Sequence, residues 1–271
     1  MLMLLLCNVF TLSAAEELYA QHYNVTLSLR NATVKEAVDA GEYTVTIVAT
    51  DAAAKNYNFN NKLSFKFEIK EFGHFTDVDS AEWYSVPVEQ AWKQYYINGI
   101  SGTNLFAPNA EITRADAICI TFNMAGGDVT VKDDEFSYSE DKGYVTGFND
   151  VDGKQYFGKA LAWAKAAGVA NGSNGQFRPY DKITREEFAS LLANFAKSKG
   201  DYEAVDADEV LGSATDFSAW AKENVAWAKA NKVMGNGGFI NGTGNITRAE
   251  VASMAVNYQP DDLLARPDRT K

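Results

Sequence analysis

The chain has 271 residues, 46% of them hydrophobic, enough to build a sizeable core and to exclude wholesale disorder. Its 25 Lys and Arg against 36 Asp and Glu leave a formal charge of −11, which excludes a nucleic acid as the main partner, because phosphate binding needs a basic surface. Two cysteines, Cys7 and Cys119, and two histidines, His22 and His74, are too little material for a metal site or a Ser–His–Asp triad, so neither metal nor cofactor is expected.

In chain order, residues 1–19 come first. Met1 to Leu12 is mostly apolar, and Ser13-Ala14-Ala15 offers small residues before Glu16. That is the pattern of a signal peptide, but no Lys or Arg precedes it. Two readings stay open: a signal peptide or the start of a truncated product. No later segment is long and apolar enough to span a membrane.

Residues 20–71 alternate as β-strands do. Asn24 to Leu29, Tyr43 to Val48 and Leu63 to Ile69 each place Val, Thr, Tyr, Phe or Leu at every second position. The stretch resembles the last strands of a bacterial immunoglobulin-like domain, though it is too short for a seven-stranded sandwich.

From residue 72 the texture changes to Ala-rich helical segments separated by Gly, Asn and Pro. Three segments carry the same order of signals, at 72–126, 147–197 and 213–258. The first runs Phe75-Thr-Asp77-Val78, Trp83-Tyr84, Gly99 to Gly102, Phe106-Ala-Pro108 and Ile112-Thr113-Arg114-Ala115-Asp116. The second runs Phe148-Asn-Asp150-Val151, Tyr156-Phe157, Gly168 to Gly172, Phe177-Arg-Pro179 and Ile183-Thr184-Arg185-Glu186-Glu187. The third runs Thr215-Asp216-Phe217, Trp220, Gly235, Phe239 and Ile246-Thr247-Arg248-Ala249-Glu250. Acidic linkers around 132–135 and 206–209 read as solvated loops, and 259–271 as a frayed tail.

Each repeat reads as helix, loop, helix. On this reading the first repeat carries four extra residues before Gly99, close to one helical turn. The second helix opens on Thr-x-x-acid, a capping box, weaker where Asp116 replaces Glu. One such hairpin cannot bury its apolar face, but three can share a core. The fold expected is mainly α, three helix-loop-helix repeats in a pseudo-threefold bundle, preceded by a small all-β segment.

The candidate chemistry sits at the repeated Thr-Arg. Arg114, Arg185 and Arg248 fall at helix starts, where unpaired N–H groups and the macrodipole favour anions, and a guanidinium adds a planar fork for a carboxylate. The alternative is structural: each Arg pairs with an acid of the neighbouring repeat, Asp77, Asp150 or Asp216. Among the aromatics, Trp83 and Trp220 stand at helix starts and suit stacking on sugar rings, whereas Trp163 and Trp227 are mid-helix and belong to the core. Cys119 reads as a buried small hydrophobe.

These repeats resemble S-layer homology domains over about residues 72–258. The resemblance implies non-covalent attachment of a secreted bacterial surface protein to pyruvylated secondary cell-wall polysaccharide, outside the cell, and no enzymatic activity. It implies ligand contacts at Arg114, Arg185 and Arg248, with Thr113, Thr184, Thr247, Asp77, Asp150, Asp216, Trp83, Trp220, Gly102 and Gly172 around them. A self-assembling lattice protein without a glycan ligand is the alternative. The third repeat departs most, with Ala214 for the leading Phe, Lys232 for Gly and no Pro after Phe239. In the second, Glu186 adds a negative charge near Arg185.

Overall fold

The computed structural model describes residues 25–30, 41–49, 64–69, 73–132, 136–235, 238–258 and 269, so the signal-peptide reading of 1–19 lies outside the described residues, as does most of the tail. The chain divides into two compact units, Met1–Phe72 and Gly73–Lys271. In the first, β1 (Val25–Arg30), β2 (Gly41–Ala49) and β3 (Ser64–Ile69) form an antiparallel sheet in the order β1-β2-β3. Val25 stands opposite Ala49, and Gly41 opposite Ile69.

The second unit is helical. Its repeats are α1 (Ser85–Lys93) with α2 (Arg114–Met124), α4 (Gly158–Ala166) with α5 (Arg185–Lys199), and α7 (Lys222–Ala230) with α8 (Arg248–Asn257). Short helices α3 (Gly127–Thr130) and α6 (Ala207–Leu211) lie between them. The second acidic linker is therefore partly helical, not a solvated loop. Asp206 accepts from the N–H groups of Asp208 and Glu209, and Ala207 and Leu211, one turn apart, are buried.

The first helices of the three repeats have the same length. Val88, Leu161 and Val225, with Ala91, Ala164 and Ala228, are fully buried at matching positions. The four extra residues expected in repeat one do not extend its helix. After each helix one residue turns left-handed, Tyr95 (φ 61°), Gly168 (φ 72°) and Lys232 (φ 58°). The next N–H, of Tyr96, Val169 or Val233, then bonds back to the buried Ala carbonyl. Gly168 is thus the counterpart of Tyr95, and Gly172 of Gly99. A Cβ on either of those last two glycines would strike the Phe75 or Phe148 ring within 2.5 Å.

The third repeat also needs a correction. Phe239 is 82% exposed, whereas Ile240 is 2% exposed. Phe106, Phe177 and Ile240 each stand eight residues before the repeat's arginine, so Ile240 is the counterpart of the buried Phe. Asn241 and Gly242 follow it where Ala107-Pro108 and Arg178-Pro179 stand in the other two.

The second helices start as their Thr residues dictate. Thr113, Thr184 and Thr247 are extended N-caps whose hydroxyls accept from the N–H of Asp116, Glu187 and Glu250. The box closes at Glu187 and Glu250, which reach back to the Thr N–H. Asp116 is one methylene shorter and accepts from the Thr113 hydroxyl instead, at 2.7 Å.

What joins the repeats is cyclic. Ile112 donates its N–H to Ile246, Ile183 to Ile112, and Ile246 to Ile183, at 3.1 to 3.3 Å. All three side chains are at most 1% exposed, so they mark the pseudo-threefold axis. Around them each second helix spends its first two N–H groups on the next repeat's loop. Arg114 and Ala115 bond the carbonyls of Asp181 and Pro179, Arg185 and Glu186 those of Gly244 and Gly242, and Arg248 and Ala249 those of Ala110 and Pro108. Buried backbone groups are satisfied only when the ring is complete.

Candidate functional site

The three arginines lie on this ring, and each reaches into the next repeat. Arg114 Nε donates to Phe177 O at 2.8 Å, Arg185 Nε to Ile240 O at 3.1 Å, and Arg248 Nε to Phe106 O at 2.7 Å. Arg114 and Arg248 also lie over the rings of the same phenylalanines, 5.0 and 4.8 Å from the centroids. The accepting carbonyls belong to the segment that Asp77, Asp150 and Asp216 hold. Asp77 accepts from the N–H of Phe106 and Ala107, Asp150 from Phe177 and Arg178, and Asp216 from Ile240 and Asn241, at 2.6 to 3.1 Å. The second residue of each pair is left-handed, Ala107 (φ 58°), Arg178 (φ 57°) and Asn241 (φ 46°). A carboxylate receiving two adjacent amides stabilises that conformation for residues that otherwise avoid it.

Two expectations change here. The helix-start amides are not open to an anion, since the first two are taken by the next repeat and the third by Thr. The structural alternative, Arg paired with a neighbouring acid, holds for two arginines but with different acids. Arg114 Nη1 meets Glu187 Oε1 at 2.7 Å, and that oxygen also takes Arg178 at 2.8 Å. Arg185 Nη1 pairs with Glu250. Each glutamate thus caps its own helix with one oxygen and neutralises the preceding repeat's arginine with the other. Sequence reasoning assigned these glutamates only to capping and missed the pairing.

Arg248 differs. Its Nη2 donates to Asn98 O at 2.6 Å, and among the described residues no carboxylate comes within ion-pair distance of it. Asp116 stands where Glu187 and Glu250 stand, but it is too short and is occupied by Thr113 and by the Tyr156 hydroxyl at 2.7 Å. Burial pulls the Arg248 pKa down, and Asp116 and Asp77 oppose this only through space. Burial lowers that of Arg114 too, with Glu187 in direct contact opposing it.

The helix-start aromatics face solvent. Trp83 is 60% exposed, Tyr156 66% and Trp220 61%, and each is followed by a buried residue, Tyr84, Phe157 or Ala221. Of the mid-helix pair, Trp227 is buried and Trp163 packs between Phe122 and Phe195. Gly102 (φ 75°) has open space where a Cβ would be, whereas Gly172 is required by the Phe148 ring and Gln176 O. Glu186 does not add a loose charge near Arg185. It is 3% exposed, its carboxylate accepts from Ser218 N at 2.7 Å, and it fills room left by Gly242.

Cys119 sits behind Asp116, and burial pushes its thiol up to about 12, with Asp116 adding to the shift. Burial first, then the bond to Asp116, also raise Tyr156. Between pH 9 and 12 the unfolded chain releases the thiol proton while the folded one keeps it, so stability present below pH 9 is lost as pH rises. Thermal melts across pH 8 to 11 should therefore fall less steeply for Cys119→Ala than for the parent. Equal slopes would show that the thiol is not desolvated.

Among the described residues no cluster of His, Cys, Asp and Glu could hold a metal, and no helix is long and apolar enough to cross a membrane.

Residues 74–118 and 147–189 match the family model of the S-layer homology domain, so the first two repeats are domains of that kind. The chain is 25% identical over 230 residues to an amylopullulanase of Thermoanaerobacterium thermosulfurigenes, covering 80% of this chain and 10% of that protein. It is 29% identical over 118 residues to an endoglucanase of Bacillus sp. (strain KSM-635), covering 43% and 11%. It is 26% identical over 200 residues to exoglucanase XynX of Acetivibrio thermocellus, covering 69% and 16%. The chain therefore spans at most about a sixth of these curated relatives' length.

Proposed function

We propose that residues 72–258 form one wall-binding module of three S-layer homology repeats. It holds a secreted bacterial protein on secondary cell-wall polysaccharide by receiving the carboxylate of a pyruvate ketal between repeats. The observation that carries the reading is Arg248, a guanidinium fixed by two carbonyls with its charge left unneutralised. A planar cation held by neutral acceptors keeps donors and charge for an oxyanion. Exposed Trp83, Tyr156 and Trp220 give sugar rings a face to stack on. The third helix pair repeats the geometry of the first two, down to the Asp-held left-handed residue, which supports reading it as a third domain of the same kind. Relatives named as an amylopullulanase, an endoglucanase and an exoglucanase favour a binding module carried by larger glycan-acting proteins, with no catalysis of its own.

The test is sedimentation with purified cell-wall sacculi. The protein should pellet with intact sacculi and stay in solution with sacculi stripped of secondary polymer or of its pyruvate. Equal retention on stripped walls, or ordered arrays formed without any polymer, would overturn the reading.

A further inference from the structure

We infer that Arg269, which lies outside all three repeats, is a positioning residue for the surface around Arg248. Its guanidinium donates through Nη1 to Trp92 O at 2.7 Å and through Nη2 to Asn98 Oδ1. Its central carbon lies 4.9 Å from the Trp92 ring centroid and 4.5 Å from that of Tyr95. Trp92 is in the last turn of α1, where a helix carries partial negative charge, and its carbonyl, which also accepts from the Tyr95 N–H, has a second lone pair for a cation.

Asn98 joins this contact to the ring. Its side-chain oxygen takes Arg269, and its main-chain oxygen takes Arg248 Nη2. In the other two joints a glutamate, Glu187 or Glu250, takes the arginine's Nη1. Here Asn98 supplies a neutral acceptor to Nη2, and among the described residues no carboxylate takes Nη1. Asn98 lies between Tyr95 and Gly99, a stretch as long as that between Gly168 and Gly172 and just before a loop two residues longer than its counterpart, Gly99 to Phe106 against Gly172 to Phe177. Arg269 anchors the Asn98 side chain and so holds its carbonyl in one place. The arrangement orients Arg248 without neutralising it and brings a second positive charge to the same loop.

The inference rests on the reading that Arg248 receives the ligand's carboxylate. The test measures binding of a pyruvate-ketal monosaccharide, by calorimetry well below the melting temperature, for the parent and for Arg248→Ala, Arg269→Ala and Asn98→Ala. Arg269→Ala and Asn98→Ala should each weaken binding about fivefold, the scale of one misplaced charge-assisted hydrogen bond. Arg269→Ala should also melt lower, because the Trp92 contacts go with it. Asn98→Ala keeps those contacts and should melt within about 2 °C of the parent. If Asn98→Ala and Arg269→Ala bind like the parent while Arg248→Ala does not, the positioning role fails and the carboxylate reading stands. If Arg248→Ala itself binds like the parent, the carboxylate reading fails and takes this inference with it.

Discussion

Arg248→Ala should weaken retention on polymer-bearing sacculi by about 10- to 100-fold, the range expected when one charge-assisted, two-pronged contact is lost. Arg114→Ala and Arg185→Ala should each stay within about threefold of the parent. The ranking follows from who already holds each guanidinium. At Arg114 and Arg185 an incoming carboxylate would meet Glu187 or Glu250 on the same nitrogen and be repelled by it. At Arg248 it meets carbonyl oxygens only. Stability should rank differently. Arg185→Ala strands Glu250 without its partner, whereas Arg114→Ala leaves Glu187 with Arg178, so Arg185→Ala should melt lower. Sedimentation and thermal melts on the same three variants check both rankings. Equal loss of retention at all three positions would show that the two ion pairs open to ligand and that the charge argument is wrong.

Asp150→Ala should destabilise the helical unit by about 3 kcal/mol, from two hydrogen bonds to one ionised carboxylate. The Phe177 and Arg178 amides lose their acceptor at 2.8 and 2.7 Å. Arg178 then stays left-handed without the carboxylate that held its N–H. The damage passes on, because Phe177 O is the acceptor for Arg114. Asp150→Asn keeps one acceptor oxygen and turns an NH2 towards the second amide, so it should recover less than half of the loss. Urea unfolding of both variants measures this. A loss under about 0.5 kcal/mol for Asp150→Ala would mean that solvent replaces the carboxylate at no cost.

Much of this was legible in the residues. Three Thr-x-x-acid boxes mark where the second helices start, and Asp116 behaves as a shorter side chain must. The fully buried Ile112, Ile183 and Ile246 stood in plain sight within the repeated motif. Residue type is a poor guide to equivalence between the repeats. Phe239 shares its aromatic ring with Phe106 and Phe177, but Ile240 holds the eight-residue spacing to Arg248. Gly168 and Gly99 are both glycine, but Tyr95 and Lys232 adopt the left-handed turn of Gly168 without being glycine. The arginine partners were hidden for another reason. A glutamate has two oxygens, and a local motif accounts for only one. The second answers to a residue 65 to 73 positions away, Arg185 for Glu250 and Arg114 for Glu187. Arg269 carries no local signal at all, since its partners lie 171 and 177 residues upstream.

The head-to-tail handover at Ile112, Ile183 and Ile246 has a kinetic consequence. Two of the joints link neighbours in sequence, but the closing one, Arg248 to Phe106 and Asn98, spans 142 and 150 residues. Loop closure over that length is the costliest in entropy, so it completes last, after the first two lobes have docked. Nascent chains lacking the final lobe would expose a row of unsatisfied amides and an open hydrophobic seam, a state suited to mispairing with a second molecule.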